Sequence, residues 1–361
     1  MKRLGISIYP EHTSFEDNVE YMNKASQYGF NRIFTCLLSV EKSKEEILKE
    51  FKNIIEHGNS LGMETILDVS PRVFDQLDIS YKDLSFFNDT GASGIRLDMS
   101  YSGNEESMMT FNPYDLKIEI NMSTGAKYID NVMKYKPNMK NIIGSHNFYP
   151  HRYSGLSHDH FMKTSKQFRD LGIKTAAFVN SQAAEIGPWP VSEGLCTLEN
   201  HRTLPIDVQA KHLFATGLID DVIIANAFAS DEELELLSKL NPELLKLKVH
   251  LDDGIPALEK KIVLDEFHFN RGDVSDFMIR STQSRVKYKG HHFKVFNPKP
   301  IKRGDIIIES SLYAHYAGEL QIALKDMENS GKTNVIGRVD EDELFLLDLI
   351  EPWQKFLLYE N

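Results

Sequence analysis

From residue 4 to about residue 240, short apolar runs of strand length alternate with amphipathic runs of helix length, and few folds accept such a series. The strand-type runs are Leu4–Tyr9, Arg32–Leu38, Glu64–Val69, Gly94–Met99, Lys117–Met122, Asn141–Phe148, Thr175–Ser181 and Asp221–Phe228, eight in all. Between them, Phe15–Tyr28 carries Phe15, Val19, Met22 and Ala25 at helical spacing and stops at Gly29, a C-cap signal. Ser43–Leu61 stops likewise at Gly62 and Phe161–Leu171 at Gly172, while Asp231–Leu240 opens with Asp-Glu-Glu, where a helix dipole favours negative charge. Each helix is followed within a few residues by the next strand, so the strands are parallel. Eight parallel strands close most economically into a barrel with the helices outside. A doubly wound open sheet is disfavoured because no G-x-G-x-x-G turn follows an early strand. The expected fold is therefore α/β, a (β/α)8 TIM barrel over residues 1–242.

After Asn241 the texture changes. Leu245–Leu251, Ile262–Phe267, Asp276–Arg280, His292–Phe296, Asp305–Glu309, Asn334–Val339 and Glu343–Leu347 are short β-type runs separated by Gly, Pro, Asn and Asp, and only Tyr313–Leu324 reads as helix. Residues 243–361 are expected to form a second, β-rich domain, a small barrel.

Charge limits the partners. With 41 Lys+Arg against 53 Asp+Glu the net charge is −12, and no long basic run occurs, which argues against nucleic acid. Any anionic ligand must be met by donors placed in a local pocket. No stretch approaches the roughly 18 apolar residues of a membrane span. The two cysteines, Cys36 and Cys196, support neither a disulfide framework nor a zinc cluster. The apolar run after Lys2 and Arg3 is too short for a secretory signal and ends at Pro10, so the cytoplasm is the expected location.

In such a barrel the chemistry sits at the C-terminal strand ends, where side-chain parity decides what faces inward. In Gly94–Met99 the apolar Ile95, Leu97 and Met99 should face the helices, leaving Arg96 and Asp98 inside with Asp98 nearest the mouth. Lys117–Met122 likewise places Glu119 and Asn121 inside. The same parity assigns Ser7, Tyr9, Glu11, Asp68, Gly144, His146, Asn180 and Asn226 to an inward polar ring. A barrel built only for stability would fill those positions with Val, Ile and Leu, because an unpartnered buried polar group costs about 1–3 kcal/mol. A plainer reading is that Arg96 neutralises Asp98 and that Asn180 and Asn226 cap strand ends.

Asp68, Asp98, Glu119 and His146 lie on different strands and could together hold a divalent ion, but a single histidine is thin support, and no metal or other cofactor is expected. No G-x-S-x-G nucleophile motif occurs. Two carboxylates without these devices suit glycoside cleavage, in which one protonates the leaving oxygen and the other stabilises or attacks an oxocarbenium-like carbon. Asp98, beside the positive Arg96, is assigned the anionic role. Glu119, with Asn121 and Lys117 as same-face neighbours, is assigned the proton donor.

The opening Leu4-Gly5-Ile6-Ser7-Ile8-Tyr9-Pro10-Glu11, the Gly94–Asp98 strand, Glu119–Ser123, Gly144–Pro150 and the late Tyr316–Ile322 resemble the bacterial 6-phospho-N-acetylmuramidases, in order and across both halves. The likeness is nearest to a staphylococcal member. The resemblance implies a barrel followed by a cyclophilin-like domain, and hydrolysis of the disaccharide of N-acetylmuramic acid 6-phosphate and N-acetylglucosamine during cell-wall recycling. An older family label, outer surface protein, is at odds with the absence of an export signal. Gly94–Asp98 also resembles the Gly-x-Arg-x-Asp strand of amylase-type glycosidases, a likeness at fold level. The 2-acetamido group of the substrate could instead act as an internal nucleophile. For the substrate's anionic groups, Arg280 and Arg285 crowd one strand end, and His146, Asn147, Tyr149 and Arg152 follow the sixth strand. Glu309-Ser310-Ser311-Leu312-Tyr313-Ala314-His315 departs from many relatives, where Asp-Asn and Arg are expected, which leaves that loop without an assigned role. The rival functions are a metal-dependent sugar-phosphate isomerase or lyase and a non-catalytic phosphosugar sensor. Self-association into a homo-oligomer is left open.

Overall fold

The computed structural model describes residues 2–37, 43–190 and 193–360. Eight strands, β1 (Arg3–Ser7), β2 (Arg32–Leu37), β3 (Glu64–Val69), β4 (Gly94–Leu97), β5 (Lys117–Asn121), β6 (Ile142–Ser145), β7 (Lys174–Val179) and β8 (Asp221–Ile224), close in sequence order into a parallel barrel. β8 pairs back with β1, so no edge is left open. β1, β4, β5, β6, β7 and β8 end before their expected runs, because the residues past each end leave the ladder to build the barrel mouth. Leu38, the last residue of the expected second run, lies outside the described residues.

Local chemistry positions the helices. The helix Phe15–Gln27 starts where Ser14 Oγ accepts from the Asp17 amide at 3.1 Å. Lys44–Ser60 and Asp231–Ser238 each start with a capping box, Ser43 with Glu46 and Ser230 with Glu233. The first two helices end against Gly29 and Gly62, at φ 83° and 75°, a backbone region that disfavours other residues. Outside the barrel, Ile95, Leu97, Ile118, Ile120, Val222 and Ile224 pack with Met22, Phe51, Phe161 and Phe168 of the helices. Inside, Phe34, Cys36, Ala176, Phe178, Ile223, Ala225 and Tyr9 form a separate cluster. The alternation of the strand residues thus sorts them between two cores.

The chain divides into compact units at Met1–Leu240 and Asn241–Asn361. In the second, β9 (Leu245–Leu251), β10 (His268–Phe269), β11 (Met278–Ser281), β12 (Asp305–Glu309), β13 (Leu320–Ala323), β14 (Thr333–Val339) and β15 (Lys355–Tyr359) form a mixed sheet in the order β10-β15-β9-β14-β12-β13-β11. The Arg271 amide donates to the Arg280 carbonyl at 3.0 Å between the outer strands, so the sheet is nearly closed and barrel-like.

Several expected elements of this half are corrected. Ile262–Val263 belong to a helix, Ala257–Asp265, entered through Pro256, because helix-forming Ala257 to Lys261 outweigh the β-branched pair. Glu343–Leu347 lies in a 3-10 segment, Glu341–Leu349, and His292–Phe296 forms no strand. The expected helix Tyr313–Leu324 is a turn broken at Gly318, φ 82°, followed by β13. All of β13 is buried, so it shows no alternation and could not be told from a helix by period. Among the described residues no helix is long and apolar enough to cross a membrane.

Candidate active site

At the C-terminal mouth, Arg96 of β4 gathers side chains from β3 and from the end of β6. Its Nη1 donates to Asp68 Oδ1 at 2.7 Å, its Nε to Ser145 Oγ at 2.9 Å and its Nη2 to Asn147 Oδ1. Asp98 Oδ1 stands 3.6 Å from Nη1 and is half exposed. Strand register explains the meeting: Cys36 pairs with Asp68, Asp68 with Arg96 and Arg96 with Glu119, so these side chains lie side by side across a tilted sheet. Cys36 Sγ lies 3.7 Å from Asp68 Oδ2.

Burial pushes the Asp68 carboxyl above its ordinary range; Arg96 opposes the shift and Asp98 adds to it. For Arg96, burial works against the charge, but the Asp68 carboxylate holds the guanidinium firmly protonated. Burial, helped by Asp68, also raises the Cys36 thiol well above its usual range. Arg96 is thus a fixed cation between a buried carboxyl and an open one.

Glu119 is not part of this opening. It is fully buried and ion-paired with Arg32, which also pairs with Asp221, and Asp221 accepts from Arg3 Nε and Nη2 at 2.9 and 2.7 Å. Its expected neighbours are occupied elsewhere. Lys117 Nζ donates to the Lys140 carbonyl at 3.1 Å and Asn141 Oδ1 at 2.9 Å, and Asn121 Oδ1 accepts from the Ser123 amide at 2.9 Å. The cation beside Glu119 is Arg32, a residue that parity at the mouth gave no reason to consider.

The expected facing of β6 is reversed. His146 turns to the helix His158–Asp170, with Nε2 2.8 Å from Ser165 Oγ and its ring centroid 4.8 Å from that of Phe161. Burial lowers its pKa to about 3, so the imidazole is neutral. A Cβ on Gly144 would come within 2.7 Å of Phe168, so this position also faces the helix. Ser145 and Asn147 face Arg96 instead. A slip of one residue exchanges the faces of a strand, and Gly144 fitting beneath Phe168 was the signal that could have set the register.

Asn180 and Asn226 serve the backbone. Asn180 Oδ1 accepts from the Leu195 amide at 2.7 Å, and Asn226 Nδ2 donates to the carbonyls of Ser181 and Ala184 at 2.8 and 2.7 Å. They brace the segment after β7. Tyr9 donates its hydroxyl to the Ala225 carbonyl at 2.5 Å, and burial raises its pKa strongly. Glu11 is partly buried in the turn after β1. Phe34, Phe178, Phe148 and Trp189 make successive ring contacts at 5.0, 5.0 and 6.3 Å, from the barrel interior to an exposed Trp189. Arg152 is exposed, near Glu193. Arg280 and Arg285 lie in the second unit, both on Glu319.

The oxygen-rich quartet Asp68, Asp98, Glu119 and His146 does not converge, since Glu119 lies with Arg32 and His146 turns outward. Among the described residues no three His, Cys, Asp or Glu side chains are grouped as metal ligands.

A family model described as 6-phospho-N-acetylmuramidase, N-terminal, matches residues 4–239, and one described as 6-phospho-N-acetylmuramidase, C-terminal, matches residues 245–359. The crystal structure of an uncharacterized B. cereus protein is similar over 99% of this chain and 99% of that one, with 49% identity and a TM-score of 0.93. A conserved protein from a locus in Enterococcus faecalis, of unknown function, shares the fold over 99% of this chain and 96% of its own, with 22% identity and a TM-score of 0.72. No curated protein matches the chain.

Proposed function

Because the chain belongs to the 6-phospho-N-acetylmuramidase family, whose members are glycosidases, we propose that it hydrolyses the bond between N-acetylmuramic acid 6-phosphate and N-acetylglucosamine with two carboxylates, Asp68 and Asp98, set about Arg96. The observation that carries this reading is the contrast between the two carboxyls. Asp68 is buried with a raised pKa, as a proton donor requires, whereas Asp98 is open to an incoming sugar. Asp68 gives its proton to the glycosidic oxygen as the C–O bond breaks, and Arg96 at 2.7 Å stabilises the carboxylate left behind. Asp98 faces the positive charge developing at the anomeric carbon, as nucleophile or as orienting partner of the 2-acetamido group. Water supplies hydroxide to that carbon and returns a proton to the acid.

Glu119, expected as the donor, is assigned a supporting role, since it is fully buried and held by Arg32, whereas Asp68 adjoins the half-exposed Asp98 through Arg96. Glu11, Asn121 and Asn147 are proposed sugar contacts around the pair, with the buried Tyr9 bracing the wall beneath them. We place the activity in cell-wall recycling in the cytoplasm. Two buried free cysteines support a reducing compartment.

The test is incubation of the full-length protein with the 6-phosphorylated muramyl disaccharide, with and without chelator, followed by mass spectrometry of the products. Release of N-acetylglucosamine in both arms is expected. No release, or release only without chelator, overturns the reading.

A further inference from the structure

The second unit contains an arrangement that charge balance alone does not require. Glu319 is fully buried and holds two guanidiniums: Arg280 Nε donates to its Oε1 at 2.8 Å, and Arg285 Nη1 lies 3.1 Å from its Oε2. One cation would neutralise one carboxylate. The second guanidinium faces the same carboxylate, and each arginine side chain is still about one fifth exposed. The nearby Glu309 is engaged by Thr333 Oγ1, which donates to it at 2.8 Å, and burial raises its pKa.

The site is built rather than incidental. Both guanidiniums lie over the Tyr316 ring, at 5.6 and 5.3 Å from its centroid, which limits their swing. Ser284, in the same short helix as Arg285, donates its hydroxyl to the Gly318 carbonyl at 2.6 Å and so fixes Arg285 to the Glu319 segment. Gln321 of β13, the register partner of Arg280, donates Nε2 to Glu319 Oε1 at 3.2 Å. Its own Oε1 is buried without a hydrogen-bond partner, and Arg285 Nη1 and Glu319 Oε2 lack hydrogen-bond geometry to any group. Of these, Nη1 and Oε2 face each other at 3.1 Å, whereas the Gln321 carbonyl is a buried acceptor that a ligand's donor would satisfy.

We propose that Arg280, Arg285, Tyr316 and Gln321, organised by Glu319, form a binding site for the phosphate monoester of a sugar within the second unit. The arginine forks suit the dianionic phosphate, and the free Gln321 carbonyl accepts from a sugar hydroxyl, which inorganic phosphate does not supply. The choice of ligand rests on the phosphosugar reading above, whereas the site itself rests on this geometry.

The test uses the full-length Asp98→Asn protein, so that nothing is turned over, titrated calorimetrically with N-acetylmuramic acid 6-phosphate, N-acetylmuramic acid and inorganic phosphate. The phosphosugar should bind at least about tenfold more tightly than either alternative, and it should raise Tm in proportion to saturation. Adding Arg285→Ala should weaken binding by about tenfold or more, and Gln321→Leu should remove the preference over inorganic phosphate while leaving phosphate binding in place. If the arginines serve only to neutralise Glu319, Arg285→Ala lowers Tm and leaves phosphosugar binding unchanged, which overturns the proposal. Should Arg285→Ala not fold, Arg285→Lys and Gln321→Leu distinguish the same two outcomes. Wild-type cleavage of the disaccharide without arginine-dependent binding would sink this site and spare the glycosidase reading, and the converse result would do the opposite.

Discussion

Arg96 Nη1 is hydrogen-bonded to Asp68 Oδ1 at 2.7 Å across two strands whose Cα atoms are in register, so this guanidinium is fixed by the barrel's own pairing. The same head reaches Ser145 and Asn147 beyond β5, which makes a single side chain the tie between β3, β4 and the end of β6. Its planar fork serves all three acceptors at once.

Arg96→Lys keeps the charge but offers three donors from a point instead of a planar fork. It cannot serve Asp68, Ser145 and Asn147 together. We expect kcat/KM on the phosphorylated disaccharide to fall by about 10²–10³-fold, corresponding to roughly 3–4 kcal/mol of transition-state stabilisation. An Arg96→Lys enzyme within a few-fold of wild type would show that charge alone suffices.

The carboxylates separate by leaving group. Asp68→Asn should slow the natural disaccharide strongly while sparing an activated aryl glycoside, whose phenolate departs without protonation. Asp98→Asn should abolish cleavage of both. Glu119→Gln should stay within about tenfold of wild type on both, since its carboxylate is bound to Arg32 away from the mouth. A dead Glu119→Gln protein of normal stability would return the donor role to Glu119.

The barrel was legible because period and caps agree: the alternation in Gly94–Met99 and the stops at Gly29, Gly62 and Gly172 each point to the same elements. Parity turned Arg96 away from the helices because both faces of β4 contrast in polarity, and Asp98, just past the strand, stands 3.6 Å from its Nη1. It failed on β6, where Gly144, Ser145, His146 and Asn147 offer no such contrast and only the bulk of Phe168 decides which residue faces the helix. It also misjudged height. Barrel tilt makes Glu119 the lateral partner of Arg96, and a long side chain entering from Arg32 at the start of β2 captures it. Contacts of that kind join residues 87 apart in sequence and leave no local signature.

Arg32→Met tests the lower layer. Arg32 is the cation paired with Glu119, whereas Asp221 would retain Arg3. Stranding a buried carboxylate costs about 3–5 kcal/mol, read as a lower urea midpoint. Adding Glu119→Gln should recover much of that loss, because a neutral amide no longer needs the cation. A double variant no more stable than Arg32→Met would mean that Arg32 acts through packing rather than charge.

Acid should unfold this protein through its histidines. His146, His201 and His212 are buried, and burial is the leading cause that lowers their pKa values, to about 3 for His146 and His212 and well below the usual value for His201. His201 Nε2 and His212 Nδ1 lie 2.7 Å apart, so protonating both rings would bring two cations together. In the unfolded chain each imidazole takes up a proton near pH 6.5. Between that pH and about 3 the unfolded state binds more protons than the folded state, so stability falls as the pH falls. Each neutral histidine contributes a slope of about 1.4 kcal/mol per pH unit in the middle of that window. Asp68, Glu259 and Glu309, raised by burial, give slopes of the opposite sign, and His268, lowered by burial, adds to the histidine slope. Urea midpoints measured at pH 7.5, 6 and 5 should therefore drop steadily at constant m. His146→Gln, whose amide can still bond Ser165 and Ser123, should lessen the slope by one histidine's share. A flat midpoint from pH 7.5 to 5 would mean that these imidazoles take up protons without unfolding, contrary to their burial.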